Sequence, residues 1–360
     1  MKKYKKQVYE KGLKYMKKRN WIIVLFAILI IATNGLFAQQ EKLTSTNFQE
    51  DLEKLMLEKN VPAIGIGIIK DGVLRQVIVY GELKKDTPAP YNAIFNVASL
   101  SKPISTLLTL QLVSNNDWDL DEPLYHYWVD PDVKDNPLHK KLTTRHVLTH
   151  QTGFDNWRWN NKLKKLTFNS EPGTKIKYSG EGFEYLRHAI EKKFNKPFEE
   201  LVDSLIFTPY GMNDSRLLWD DNFHTSRYAE EHNKEGEPYN LKKRAKNACA
   251  SDDVLTTIKD YCLFGVNVMK GTGLKEEVHK DMLRLQAIAK ENEGFGLGWW
   301  IKQNFYKGEY ALMHTGSDAG VKTKVILLPE SKSGIVLFTN GDNGFDIIKK
   351  VETEFFASEN

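Results

Sequence analysis

The sequence predicts an α/β fold of the α+β kind: an antiparallel sheet built from both termini, flanked by helices, with a mainly helical lobe inserted between the two halves. Three observations predict it. Ile64 to Ile69 and Val73 to Tyr80 are apolar runs joined through Asp71 and Gly72, the signature of a β-hairpin. A second set of strands is expected near the C terminus, at Tyr310 to His314, Val321 to Leu328 and Ile335 to Thr339, closed by a helical tail from about Asp346 to Phe356. Between them apolar residues recur at helical spacing, as at Leu107, Leu108, Leu110, Leu112 and Val113, and at Val254, Leu255, Ile258, Tyr261 and Phe264. Strands at both ends around a helical middle imply one sheet completed by the two termini, with a sheet lobe over about 55–98 and 286–360 and a helical lobe over about 99–285.

The segment before the hairpin reads as an export signal. Nine Lys/Arg among the first twenty residues stand against one acid, Glu10, and an uncharged run follows from Trp21 to Thr33, then Asn34, Gly35, Leu36, Phe37 and Ala38. A basic leader, a short apolar run and a small residue before a polar start describe a signal peptide, residues 1–38, cleaved after Ala38. The alternative is an uncleaved N-terminal membrane anchor through residues 21–38. Either way the domain at 39–360 is expected in the periplasm or secreted, or held at the inner membrane by that anchor. The apolar run is followed by no early Cys, which excludes a lipoprotein anchor.

Composition narrows the function further. The chain of 360 residues is 41% hydrophobic and 27% charged, too apolar for a disordered chain. Its formal charge is +4, and the leader alone carries +8, so the rest sits near −4 and offers no spread basic surface for nucleic acid. Cys249 and Cys262 are too few for a disulfide framework or a Cys-rich zinc site, and a bridge between them is not expected.

The catalytic candidates come from an SxxK, Ser99-Leu100-Ser101-Lys102. About two such spacings are expected by chance in a chain with this much Ser and Lys, so its context carries the argument. Ser99 precedes Pro103 and the apolar run Ile104 to Leu112, which places it in the first turn of a helix. Free backbone N–H groups there favour an oxyanion, and Lys102, three residues on, shares the helix face with the hydroxyl. Two further segments stand out: Tyr178, Ser179 and Gly180 in a turn-rich loop opening a helix, and His314, Thr315, Gly316 and Ser317 on a strand.

The order SLSK, YSG, HTG at these separations resembles the serine β-lactamase and penicillin-binding-protein superfamily, in its branch of class C β-lactamases, D-alanyl-D-alanine carboxypeptidases, D-aminopeptidases and esterases. Leu142 to Gly153, Asp119 to Pro123 and Gly294 to Trp299 are similar to connecting stretches of that family. The resemblance implies a β-lactamase/transpeptidase-like fold and an acyl-enzyme hydrolase without cofactor or metal, acting on a small-molecule, peptide or peptidoglycan-derived substrate. It makes Ser99 the nucleophile, gives Lys102 and Tyr178 the transfer of its proton, and forms the oxyanion hole from the N–H groups of Ser99 and Ser317. His314, Thr315, Gly316 and Gly180 would face the substrate, Gly316 letting it lie along the strand. Which of Lys102 and Tyr178 is the resting base stays open.

Two departures shape the expected specificity. Gly180 stands where the family usually has Asn, a donor to the substrate's acyl amide, and His314 stands where β-lactamases usually carry Lys. A poor β-lactamase acting on an ester, amide or D-amino-acid peptide is expected, with β-lactam turnover rising toward pH 6 as His314 gains a proton. The alternative is a catalytically silent module that binds peptidoglycan fragments or a partner protein. Asp252 or Asp253 either faces the cleft or caps the following helix, the cap being the favoured reading. His146 and His150 are read as structural histidines, and Asp155 to Trp159 as either an aromatic lip of the site or a surface loop.

Overall fold

The computed structural model describes residues 43, 45–239 and 247–357; the segment read as a signal peptide or anchor, residues 1–38, lies outside them. Helix α1 (Thr46–Glu58) leads into a hairpin of β1 (Ala63–Lys70) and β2 (Val73–Lys84). Asp71 and Gly72 both adopt positive φ, 53° and 70°, the backbone that a two-residue hairpin turn needs. The short β3 (Thr87–Pro88) and β4 (Ile94–Asn96) follow, then helix α2 (Ser101–Ser114), the one-turn α3 (Thr144–Leu148) and α4 (Gly180–Phe194). The chain returns through β5 (Leu255–Thr257), helix α5 (Ile258–Lys270), six strands and the last helix α6 (Gly344–Ala357). The six strands are β6 (Ala287–Lys290), β7 (Glu293–Phe295), β8 (Trp300–Tyr306), β9 (Glu309–Asp318), β10 (Val321–Leu328) and β11 (Ser333–Thr339).

Nine strands form one antiparallel sheet in the order β3-β2-β1-β11-β10-β9-β8-β7-β6, so the first and last parts of the chain meet where β1 pairs with β11. Both of these strands are buried and lie inside the sheet, β1 between β2 and β11 and β11 between β1 and β10. The expected strand at Tyr310 to His314 runs further, from Glu309 to Asp318, and β6, β7 and β8 extend the sheet beyond the strands that periodicity picked out.

Gly65 and Gly67, on one face of β1, explain how α5 sits against the sheet. A side-chain carbon on Gly65 would come within 2.5 Å of Ile258, and one on Gly67 within 2.3 Å of Cys262. The bare strand surface lets the helix approach closely.

The chain divides into two compact units, one of residues 1–54 and 349–360 and the other of residues 55–348. The described part of the first consists mainly of the start of α1 and the end of α6; the second holds the whole sheet and every residue discussed below. Among the described residues no helix is long and apolar enough to cross a membrane.

Helical periodicity misassigned one stretch. Val254 and Leu255 read as helix, yet 255–257 form β5, paired with β4, and the helix starts only at Ile258. Thr257 caps it, its hydroxyl accepting the Asp260 N–H at 3.2 Å. The cap expected from Asp252 or Asp253 is therefore corrected to Thr257, whose β-branched side chain suits the strand end and whose hydroxyl makes the cap.

Candidate active site

Ser99 lies on a single 3₁₀ turn, Ala98–Leu100, that runs directly into α2. Ala98 is held at φ 48°, a left-handed conformation that costs a non-glycine residue about 1 kcal/mol. Two contacts hold it: the Ala98 N–H donates to Asn96 Oδ1 at 2.8 Å, and Thr323 of β10 donates its hydroxyl to the Val97 carbonyl at 2.9 Å. The turn thus presents the serine from a fixed base.

Lys102 is 1% exposed. Its Nζ donates to Ser99 Oγ at 3.0 Å and to the Ser251 carbonyl at 2.8 Å, and it sits 4.8 Å from the centre of the Tyr178 ring. A buried ammonium is costly without partners, and these contacts supply them. The Ser251 carbonyl is in place because its segment is tied to α2 on both sides. Ser105 donates to the Ala250 carbonyl at 2.5 Å, Ser101 Oγ accepts the Val254 N–H at 3.0 Å, and the Val97 N–H donates to Val254 O at 3.0 Å.

Tyr178 precedes the N-cap of α4, where Ser179 Oγ accepts the Gly182 N–H at 3.1 Å. Its ring stacks on His150 with centroids 4.4 Å apart and lies 6.3 Å from the ring of His314. Ser99, Lys102, Tyr178 and His314 are thereby gathered into one place from three separate parts of the chain.

Strand β9 closes the other side. Thr315 and Ser317 are exposed, while His314 and Gly316 point into the protein. A side-chain carbon on Gly316 would lie 2.3 Å from the Val97 carbonyl and 2.3 Å from Thr323 Oγ1, so only glycine lets the strand run past the turn that carries Ser99. The close approach made here is that of the protein's own backbone. Ser317 follows at once on the exposed side.

His314 is buried and bonded through Nδ1 to the Thr315 carbonyl at 2.9 Å. Burial, with the Lys102 cation adding, pushes its pKa down to about 3. The expected protonation near pH 6 is thus corrected: His314 is a neutral polar wall throughout the working range.

Gly180 is the first residue of α4. A side chain there would start 3.0 Å from the indole edge of Trp157, so an aromatic ring fills the space where the family usually has Asn. Trp157 stacks face to face on Trp159, centroids 4.7 Å apart and planes 9° off parallel. Between them Arg158 locks the loop, donating to Glu181 and Asp130 at 2.8 Å and to Asp132 at 3.1 Å. The two tryptophans and Arg158 line a cavity of about 650 Å³ whose other walls include Cys249, Asp252, Asp253 and Asp318. The segment thus lines this cavity and packs against Gly180, two residues beyond Tyr178.

Burial raises the Asp252 carboxyl to about 7, with Asp253 and Asp318 adding to the rise and Lys102 opposing it. Asp253 is raised as well, by burial and by Asp318. Cys249 and Cys262 are both free thiols, the first against Glu184 at 3.2 Å and the second in the core. His146 completes a capping box with Thr143, and His150 turns to Ser179 instead, so the two histidines serve different partners. Among the described residues no three side chains are grouped to hold a metal.

Sequence reasoning missed the Ser251 carbonyl, Thr323 and the Trp157 ring over Gly180. Each acts across a long chain separation, and none leaves a local signal.

Comparisons with known proteins bear on the family and the fold. The sequence description of the beta-lactamase family matches residues 47–352. The chain is 24% identical to penicillin-binding protein 4* of Bacillus subtilis, over 77% of this chain and 68% of the other. It is 22% identical to a beta-lactamase of Providencia stuartii, over 88% and 91% respectively. Its fold superposes on the D-alanine carboxypeptidase AmpC of Burkholderia cenocepacia with a TM-score of 0.72 at 19% identity, covering 87% of this chain and all of that one. The chain belongs to the beta-lactamase family, and is a serine hydrolase of the wider superfamily that includes the penicillin-binding proteins.

Proposed function

We propose that the protein forms an acyl-enzyme on Ser99 and acts on esters, amides or D-amino-acid peptides, with little activity on β-lactams. One observation carries the reading: a buried Lys102 Nζ 3.0 Å from Ser99 Oγ. A module that only binds has no need of an amine buried against a serine, so the silent alternative is not favoured.

In the proposed cycle Ser99 Oγ attacks the carbonyl carbon and its proton passes to the Lys102–Tyr178 pair. The N–H groups of Ser99 and Ser317 receive the oxyanion, and the pair returns the proton to the departing alcohol or amine. Water then attacks the acyl-serine, giving the acid and the free serine. The specificity rests on two features: Trp157 occupies the space of an amide-binding side chain at position 180, and neutral His314 offers no cation to a β-lactam carboxylate. Export by residues 1–38 belongs to the same proposal, and N-terminal sequencing of the mature protein tests it.

The reading is tested by comparing kcat/KM for p-nitrophenyl butyrate and for nitrocefin. The ester is expected to be the better substrate. A nitrocefin value above about 10⁵ M⁻¹s⁻¹, within the range of committed enzymes, overturns the assigned specificity.

A further inference from the structure

His150 grips the chain on both sides of Tyr178. The Lys177 N–H donates to the His150 carbonyl at 2.7 Å, the Ser179 N–H donates to His150 Nδ1 at 3.1 Å, and the imidazole stacks on the Tyr178 ring between them. His150 itself is fixed: it is 1% exposed, holds a left-handed φ of 54°, and meets Phe295 edge to face at 4.6 Å. Buried ring nitrogens normally both find partners. Here Nε2 is buried without a partner, while Nδ1 and the carbonyl are both committed to the residues flanking the tyrosine.

We infer that His150 is a positioning residue for Tyr178, setting the height and tilt of the phenol against Lys102 and Ser99. This rests on the reading above that the Tyr178 hydroxyl takes part in proton transfer. Only a neutral imidazole has an Nδ1 lone pair for the Ser179 N–H. Burial keeps the ring neutral, and the Lys102 cation acts in the same direction. With the proton on Nε2, the ring presents the acceptor that the Ser179 N–H requires. Small errors in placing a proton-transfer group cost rate far more than they cost binding.

The test uses the full chain with three substitutions. His150→Asn keeps an acceptor at the Nδ1 place and tolerates positive φ, but removes the ring. His150→Phe keeps a stacking ring but removes the acceptor, and Tyr178→Phe removes the hydroxyl. The readouts are kcat and KM on p-nitrophenyl butyrate, the rate of fluorophosphonate labelling, and Tm. In the otherwise native chain each His150 variant is expected to lower kcat and labelling by about tenfold or more with KM within about threefold. In the Tyr178→Phe background the same substitutions are expected to change labelling by less than about twofold, because the group they position is gone. Equal losses in both backgrounds overturn the inference, as does a lower Tm with unchanged kcat. If His150→Phe does not fold, His150→Asn carries the same two comparisons alone. Unchanged kcat in Tyr178→Phe by itself overturns the reading of the site, and with it this inference, and that outcome is distinct from the others.

Discussion

The indole of Trp157 stands 3.0 Å from where a side chain on Gly180 would begin. In the proposed reading this ring takes the place of a polar acyl-side contact; the stacked Trp159 and the ion pairs of Arg158 hold it there. Gly180→Asn alone is expected to push the indole aside and to cost about 1–3 kcal/mol of stability, as overpacking does. In a Trp157→Ala background the indole contact is gone and only the Asn156 carbonyl, at 3.2 Å, remains close to the new side chain. The double variant is expected to recover stability and to raise nitrocefin kcat/KM at least about tenfold over Trp157→Ala, the worth of one good hydrogen bond to the acyl amide. Urea unfolding and nitrocefin kinetics on the three variants check both parts.

His314 gives a pH prediction. Its pKa, pushed down to about 3 by burial and by Lys102, keeps it neutral from pH 5.5 to 8. The ratio of nitrocefin to ester kcat/KM is therefore expected to stay within about threefold over that range, since whatever titrates the shared catalytic groups cancels in the ratio. A tenfold rise toward pH 5.5 would mean that His314 gains its proton there.

Asp252 gives a stability prediction with a definite sign. Its carboxyl is raised to about 7 in the fold, far above the value of 3.8 expected when unfolded, so ionised Asp252 destabilises the native state above pH 7. Between pH 7 and 4 the folded chain holds a proton that the unfolded chain has lost, and the penalty fades. Asp252→Asn keeps a carbonyl oxygen for the Asp253 N–H, bonded at 3.0 Å, and removes the charge. It is expected to stabilise the protein by about 1–3 kcal/mol at pH 8 and by nothing measurable at pH 4. Denaturant melts at the two pH values decide it.

Arg158 tests the loop that carries the tryptophans. Its guanidinium serves Glu181 and Asp130, both 3% exposed, so removing it strands two buried carboxylates. Arg158→Ala is expected to cost about 3–5 kcal/mol and to lower Tm accordingly. Arg158→Lys keeps the charge but loses the fork of donors, and is expected to fall between. A change within about 0.5 kcal/mol for Arg158→Ala would show that the network does not hold the loop.

The hairpin, the C-terminal strands and the chemical residues were legible because their signals are local. Asp71-Gly72 sets one turn, alternation marks the strands, and Ser99 and Lys102 lie three apart on one helix start. The rest depends on approaches between distant segments. The glycines at 65 and 67 read as strand interior, while their use is to admit Ile258 and Cys262. Val254 and Leu255 fit a helical period until pairing with Ile94 to Asn96 claims 255–257 for a strand. Gly180 was visible as a missing Asn, but nothing near it in the chain announces that Trp157 fills the gap. His314 read as a titrating group because burial is not written in its neighbours.

The central claim is that Ser99 is the nucleophile that Lys102 serves. The most direct measurement is intact-protein and peptide mass spectrometry after treatment with a fluorophosphonate, on the native chain and on Ser99→Ala. A single phosphonyl adduct mapped to Ser99, absent from a folded Ser99→Ala with native Tm to within about 1 kcal/mol of stability, is the predicted result. An adduct of equal extent on Ser99→Ala, or one mapped to another residue of the native chain, contradicts the account.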